Sequence, residues 1–396
     1  MISKYTRSIS CCLLLTQLLL LTGCWSSMEI NDRAFVTIML VDTVEDSQDT
    51  QLTLGFQLPN RLIPGQSGGG SASSGEPYAY ITKNGETISD AFRKIQSDLS
   101  RKIAFGQAHI IVIGKKFAEK GMDPVLEFVK RQPAFHINSN LFATENKVLE
   151  IINTPGLFER FASTILTSYI DEEVAVDTTV RDFLVARYRM GDALLPEIIF
   201  TNEPGLKNEK GKKWMGTGGA VIFRDGAMVS PKMNNDEMRA SLWILSQIKT
   251  SVVSIESPTD GKKVSFYLEK MKTKIRPKIE ADSAAFTISS KAEAYVLSSE
   301  SSIDLEKEDS MLLLQKELDD KIKKRIESAI SKTRQAKADV FRLGEILDWR
   351  YPAMWKKLQP HWREQYAGEL PINVVVKVEL LRTGGAYHSI KEKSKY

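Results

Sequence analysis

Residues 309–338 read DSMLLLQKELDDKIKKRIESAISKTRQAKA. Leu314, Leu318, Ile322, Ile326 and Ile330 recur every four residues, and the other faces carry mostly lysines, arginines and acids. That spacing predicts an amphipathic helix from about Asp309 to Ala338. The flanking stretches have a different period. Upstream, Val264 to Ile279 and Phe286 to Leu297 are long, Thr/Val/Ile-containing runs that suit an antiparallel pair, with Asp282 and Ser283 near the turn. Downstream, Ile372, Val374, Val376, Val378 and Leu380 alternate on one face of a last strand. A sheet in the same domain needs a cover, so the helix is read as lying on the strands. A coiled coil or a partner helix is the alternative.

The N-terminal half mixes both periods. Ala34 to Val41 is β-rich, and Leu52, Leu54, Phe56 and Leu58 alternate with polar residues and Gly55. A Gly/Ser-rich loop, Gly65 to Gly75, precedes a short strand, Tyr78 to Thr82. Ser89 is expected to cap a helix reaching Leu99. His109 to Ile113 and Asn140 to Ala143 read as strands, and Asp123-Pro124 opens a helix. Further helical patterns follow at Glu145–Ile152, Leu157–Tyr169 and Thr179–Arg187. Residues 201–216 hold Pro204, Gly205, Gly211 and several lysines, and mark the expected boundary. Gly218 and Gly219 then open a strand, and Arg224-Asp225-Gly226 is a hairpin turn. The expected fold class is α+β and multi-domain. A mixed α/β N-terminal domain spans 24–200, 201–216 is a linker, and 217–396 is a C-terminal antiparallel sheet covered by the long helix.

Residues 1–23 read as a signal peptide. Lys4 and Arg7 precede an apolar core, Ile9 to Leu21, which is shorter than the ~20 residues of a membrane span. Leu21-Thr22-Gly23-Cys24 looks like a bacterial lipobox. In that reading Cys24 becomes the acylated N-terminus, and the chain is exported and held on the outer face of a membrane. Cys11 and Cys12 leave with the leader, so no intrachain disulfide is expected. Composition is that of a globular protein, with 42% hydrophobic and 26% charged residues. A formal charge of +4, reduced further by loss of Lys4 and Arg7, argues against nucleic acid as a partner.

Catalytic motifs are not evident. His109, His136, His361 and His388 lack metal-ligand spacing, which leaves no expected metal site. No nucleophile elbow, phosphate loop or dinucleotide fingerprint is present, so no enzyme activity or cofactor is expected. Asp319 and Asp320 are read as solvated helix charges. Trp349, Tyr351, Trp355 and Trp362, with Arg350, Lys356, Lys357 and Arg363, form an aromatic stretch. It reads as core packing, with a binding hot spot or membrane-interface patch as the alternatives.

One succession of motifs runs along the chain. It begins at Cys24-Trp25 and Glu29-Ile30-Asn31-Asp32-Arg33-Ala34. It continues through Arg101-Lys102-Ile103-Ala104-Phe105-Gly106, Ile110 to Gly114, and Gly218-Gly219-Ala220-Val221. It ends with Asp339-Val340-Phe341-Arg342-Leu343-Gly344-Glu345, Tyr351-Pro352, Trp355, Trp362 and Arg382-Thr383-Gly384. In that order the motifs resemble the Ger(x)C spore germination lipoproteins, the C subunits of germinant receptors. Gln107, Lys115 and Lys116 depart from the family pattern. The resemblance implies a non-enzymatic subunit that assembles with integral-membrane A and B subunits in the spore inner membrane and serves a response to small nutrients. Whether this subunit touches the germinant is left open. A lipid-anchored solute-binding protein or another cell-envelope protein is the alternative; the first would need two similar α/β lobes.

Overall fold

Val36 to Val41 is apolar except for Thr37, and every residue of it is buried. Such a run fits a strand covered on both faces. It lies in β1 (Arg33–Thr43), where Met39 and Val41 enter one core while Ile38 and Leu40 enter another. The computed structural model describes residues 29–58, 76–154, 159–189, 191–201, 213–280, 283–368 and 370–381. Cys24 and the Gly65–Gly75 loop lie outside them.

β1 sits inside a nine-stranded mixed sheet. On one side it pairs antiparallel with β2 (Thr50–Gln57), which pairs with β3 (Tyr78–Gly85). The short β4 (Lys102–Ala104) joins its start. On the other side it runs parallel to β5 (Ile110–Gly114), followed by β6 (Asn140–Thr144) and β7 (Ala193–Thr201). β8 (Trp214–Arg224) and β9 (Ala227–Met233) finish the sheet antiparallel. One face is covered by α1 (Ile88–Ser97), α2 (Lys115–Lys120), α3 (Asp123–Arg131) and α6 (Val180–Tyr188). The other is covered by α4 (Glu150–Asn153) and α5 (Ala162–Asp171), through Ile151 and Leu166. Thr87 rather than Ser89 caps α1, accepting from Asp90 N at 3.1 Å. The extended Thr87 aims its hydroxyl at the first turn, whereas Ser89 is already helical. His109 precedes β5 and is exposed, with its ring 5.7 Å from that of His136.

The segment expected to separate the halves connects two neighbouring strands. β7 and β8 pair from Ala193 opposite Phe223 to Thr201 opposite Trp214. The first sheet therefore continues to Met233, beyond the expected boundary. Ala220, Ile222 and Met233 of its last strands belong to the core of the second half.

That second half contains α7 (Asn235–Ile244), then β10 (Ser251–Glu256), β11 (Lys263–Glu280) and β12 (Ser283–Ser299) in antiparallel order. α8 (Glu308–Gln335) lies across them. Its five-residue stripe is buried with Phe266, Leu268, Phe286 and Ile288, as the four-residue period predicts. α9 (Leu343–Arg350), α10 (Pro352–Leu358) and α11 (Trp362–Ala367) lead to β13 (Ile372–Leu380). β13 is parallel to β12, so this sheet is mixed rather than wholly antiparallel. The four helices form the long crossover that a parallel partner requires. Asp319 is half-buried and accepts from Val378 N of this edge strand at 2.8 Å. It is a structural acceptor, not a solvated charge.

Candidate functional site

Asp339 follows α8 and is buried among the helices that cross to β13. Its Oδ1 accepts from Leu343 N at 3.0 Å, and its Oδ2 from Gly344 N at 2.8 Å. Trp362 Nε1 donates to the same Oδ2 at 3.0 Å. A carboxylate thus satisfies two of the first N–H groups of α9, a role that suits negative charge at a helix start. Burial pushes the Asp339 carboxyl up to about 6, against the pull of those three donors. Gly344 is needed because a Cβ there would lie 2.7 Å from the Trp355 ring. Trp355 and Trp362 meet edge to face at 5.3 Å. Asp339, Gly344, Trp355 and Trp362, dispersed in the sequence, are therefore one packed unit.

Asp192 ties that unit to the first sheet. It precedes β7 and accepts from Asp339 N at 2.8 Å and from Asp225 N at 3.2 Å. Arg363, next to Trp362, donates to both of its oxygens at 2.8 and 3.1 Å. The same guanidinium reaches Asp225 in the β8–β9 turn at 2.5 Å. Burial raises the Asp192 carboxyl, while Arg363 acts in the opposite sense. Asp192 carries no motif in the sequence, so its role was not readable there. Only the strand start at Ala193 places it.

Beside this joint is a cleft of about 420 Å³, with Asp177, Asp182, Arg342, Glu345 and Trp349 in its walls. Burial and the nearby Asp182 raise the Asp177 carboxyl. Its walls are largely engaged in structure. Asp177 accepts from Asn140 Nδ2 at 2.7 Å, Asp182 completes the capping box of α6, and Glu345 lies 3.5 Å from Arg189. Trp349 is 72% exposed, and Arg189 stands 5.8 Å over its ring.

The aromatic stretch is split by this geometry. Trp355 and Trp362 are core, whereas Trp349 and Tyr351 are exposed. Among the described residues, no group of three or more His, Cys, Asp or Glu side chains is placed to hold a metal ion. No helix among them is long and apolar enough to cross a membrane. The lipidation candidate, Cys24, lies outside the described residues.

The chain matches two family descriptions in order. Residues 26–200 match "Spore germination protein N-terminal domain", and 217–384 match "Spore germination B3/ GerAC like, C-terminal". It is 26% identical to "Putative spore germination protein YfkR" of Bacillus subtilis (strain 168) over 389 residues, covering 96% of this chain and 98% of that one. It is 24% identical to "Spore germination protein KC" of the same organism, covering 97% of each. The solved structure "Crystal Structure of the GerBC protein" shares the fold, with a TM-score of 0.56 and 18% identity over 87% of this chain and 97% of that one.

Proposed function

Because the chain belongs to the Ger(x)C family of spore germination proteins, we propose that it is the lipid-anchored C subunit of a nutrient germinant receptor. Its role in spore germination rests on relatives named for that process. The finer reading is assembly with integral-membrane A and B subunits on the outer face of the spore inner membrane. The observation that carries it is the match of both halves, in family order, to relatives of nearly the same length. The Asp192–Arg363 joint supports a passive, shape-keeping role, since its carboxylates are occupied by N–H donors and a guanidinium. An acyl anchor would confine the protein to a thin layer above the bilayer. Confinement raises effective concentration, so modest interfaces suffice for assembly with membrane partners.

The test is a strain lacking all paralogous receptors and retaining only this receptor's genes. Removing this subunit is expected to abolish the loss of refractility after nutrient addition while leaving sporulation normal. Equal germination with and without the subunit would refute the assembly role.

A further inference from the structure

The sheet β10–β11–β12–β13 has one face packed under α8 and one face in solvent. Register sorts the charges on the solvent face. Lys272 stands opposite Lys291, and Lys291 opposite Lys377, so three lysines form one cross-strand row. Like charges directly opposite each other are unfavourable in a sheet. The neighbouring row toward the start of β11 is acidic, with Glu269, Glu293 and Glu379 in register, and Lys270 binds Glu293 at 2.7 Å. Between Glu293 and the hairpin end, where the sequence has Glu280 and Asp282, the outward positions of β11 and β12 hold no acid. Lys274, Arg276 and Lys278 alternate outward along β11, all exposed. Lys278 pairs with Glu280 at 2.7 Å. Among the described residues, Lys274 and Arg276 have no acid within ion-pairing distance. Their cross-strand neighbours are Ser289 and Thr287.

The location of this basic face narrows its occupant. β1, β5, β6 and β7 are parallel, so Glu29, leading into β1, and Asp192, leading into β7, stand at the same end of the first sheet. Arg363 binds Asp192, and the adjacent Trp362 packs on Phe286 with ring centroids 6.3 Å apart. Phe286 is paired with Pro277, which lies between Arg276 and Lys278. The hairpin end therefore lies beside the joint, at the end of the first sheet where β1 and β7 begin, with the basic face turned away from Trp362 and Phe286. Cys24 and Glu29 are separated by a few residues that span at most about 18 Å.

We propose that the outer face carrying Lys272, Lys274, Arg276, Lys278, Lys291 and Lys377 is a contact surface for an anionic phospholipid bilayer. Each cation held near an anionic leaflet strengthens binding by roughly fivefold, and salt screens the effect. Such contact would turn a tether into an orientation, laying one end of the protein on the membrane. The role in orientation rests on the lipid-anchor reading. The contact itself does not, and it is measured without the acyl group.

The probe is the chain from residue 25 onward, which keeps every described contact, mixed with vesicles of phosphatidylcholine alone or with phosphatidylglycerol. The expected result is sedimentation with the anionic vesicles only, lost at high salt. Lys274→Gln, Arg276→Gln and Lys278→Gln together should weaken that binding by roughly 100-fold. The matched triple Lys316→Gln, Lys321→Gln and Lys324→Gln, on exposed positions of α8, should change it little. Thermal melts check that both triples remain folded. Equal binding to both vesicle types, equal loss in both triples, or no binding to anionic vesicles would overturn the proposal. Binding of soluble polyphosphate without binding of anionic vesicles would assign the face to an acidic macromolecule instead.

Discussion

Asp192 and Arg363, 171 positions apart in the chain, form a two-pronged ion pair at 2.8 and 3.1 Å that fastens the first sheet to the helices before β13. The carboxylate is 1% exposed and the guanidinium 25%. Removing one partner of a buried pair leaves the other charge without compensation and costs about 3–5 kcal/mol. The partial exposure of Arg363 places Arg363→Ala at the lower end of that range. Chemical denaturation should show this loss, and a double-mutant cycle with Asp192→Ala should show strong coupling. Additive single effects would mean that the two side chains do not hold the halves together.

Asp339 gives the fold a pH dependence whose sign follows from its burial. Its carboxyl rises from the ordinary 3.8 to about 6 on folding. Between these values the native chain binds more protons than the unfolded one. Its contribution to stability is fully present below about pH 4 and lost as pH rises toward 6, by roughly 3 kcal/mol at most. Asp339→Asn should remove this slope, so the stability of the parent relative to the variant should fall between pH 4 and 6 and level off above. Above pH 6 the variant should still be destabilised by about 1–3 kcal/mol, because an amide N–H2 would face one of three N–H donors, and below pH 4 by that amount plus the lost contribution. Parallel stability profiles would show that the donors keep the carboxylate ionised throughout.

Ile322 lies in the middle of the buried stripe of α8 and is 2% exposed. Ile322→Asp places a carboxylate in the apolar contact between α8 and the sheet, where Arg239 and Arg325 border the same small cavity and would offset only part of its desolvation. An effect of several kcal/mol is expected, visible as a large drop in melting temperature or loss of soluble protein. Lys321→Asp, one position away and exposed, is the matched control and should be nearly neutral. Equal melts for both variants would show that the stripe does not face a core.

The local periods carried much of this fold. The stripe from Leu314 to Ile330 predicts the helix and the face it buries, because a four-residue apolar repeat on a polar helix marks one face; that the sheet rather than a partner helix covers it is seen only in the fold. The β11–β12 pair and the Arg224-Asp225-Gly226 turn were readable for the same reason. Pairing partners were not. Nothing in the alternation of Ile372 to Leu380 says that it runs parallel to β12, and nothing in the Lys-rich 201–216 segment says that its flanks pair in one sheet. Asp319 looked solvated because helical spacing cannot reveal a strand edge laid beside it. The joint was the least legible part. Asp339 and Arg363 stand in recognisable stretches, but their common partner Asp192 is joined to them only by the tertiary fold.

Cys24 is predicted to be the acylated N-terminus of the mature chain. The sequence supplies a basic start, an apolar core, a small residue and then the thiol, in the order that export and lipid transfer require. A single acyl chain holds a protein only marginally, since each buried CH₂ contributes about 0.8 kcal/mol, whereas two chains anchor it stably. Mass spectrometry of the mature N-terminus should therefore find Cys24 first and carrying diacylglycerol. Cys24→Ala should shift the protein out of the membrane fraction or block its processing. The same variant should melt like the parent once freed of the leader, because the described cores begin at Val36. An unmodified mature peptide beginning at another residue would rule the anchor out, and germination supported equally by the Cys24→Ala form would show that confinement at the membrane is dispensable for the subunit's work.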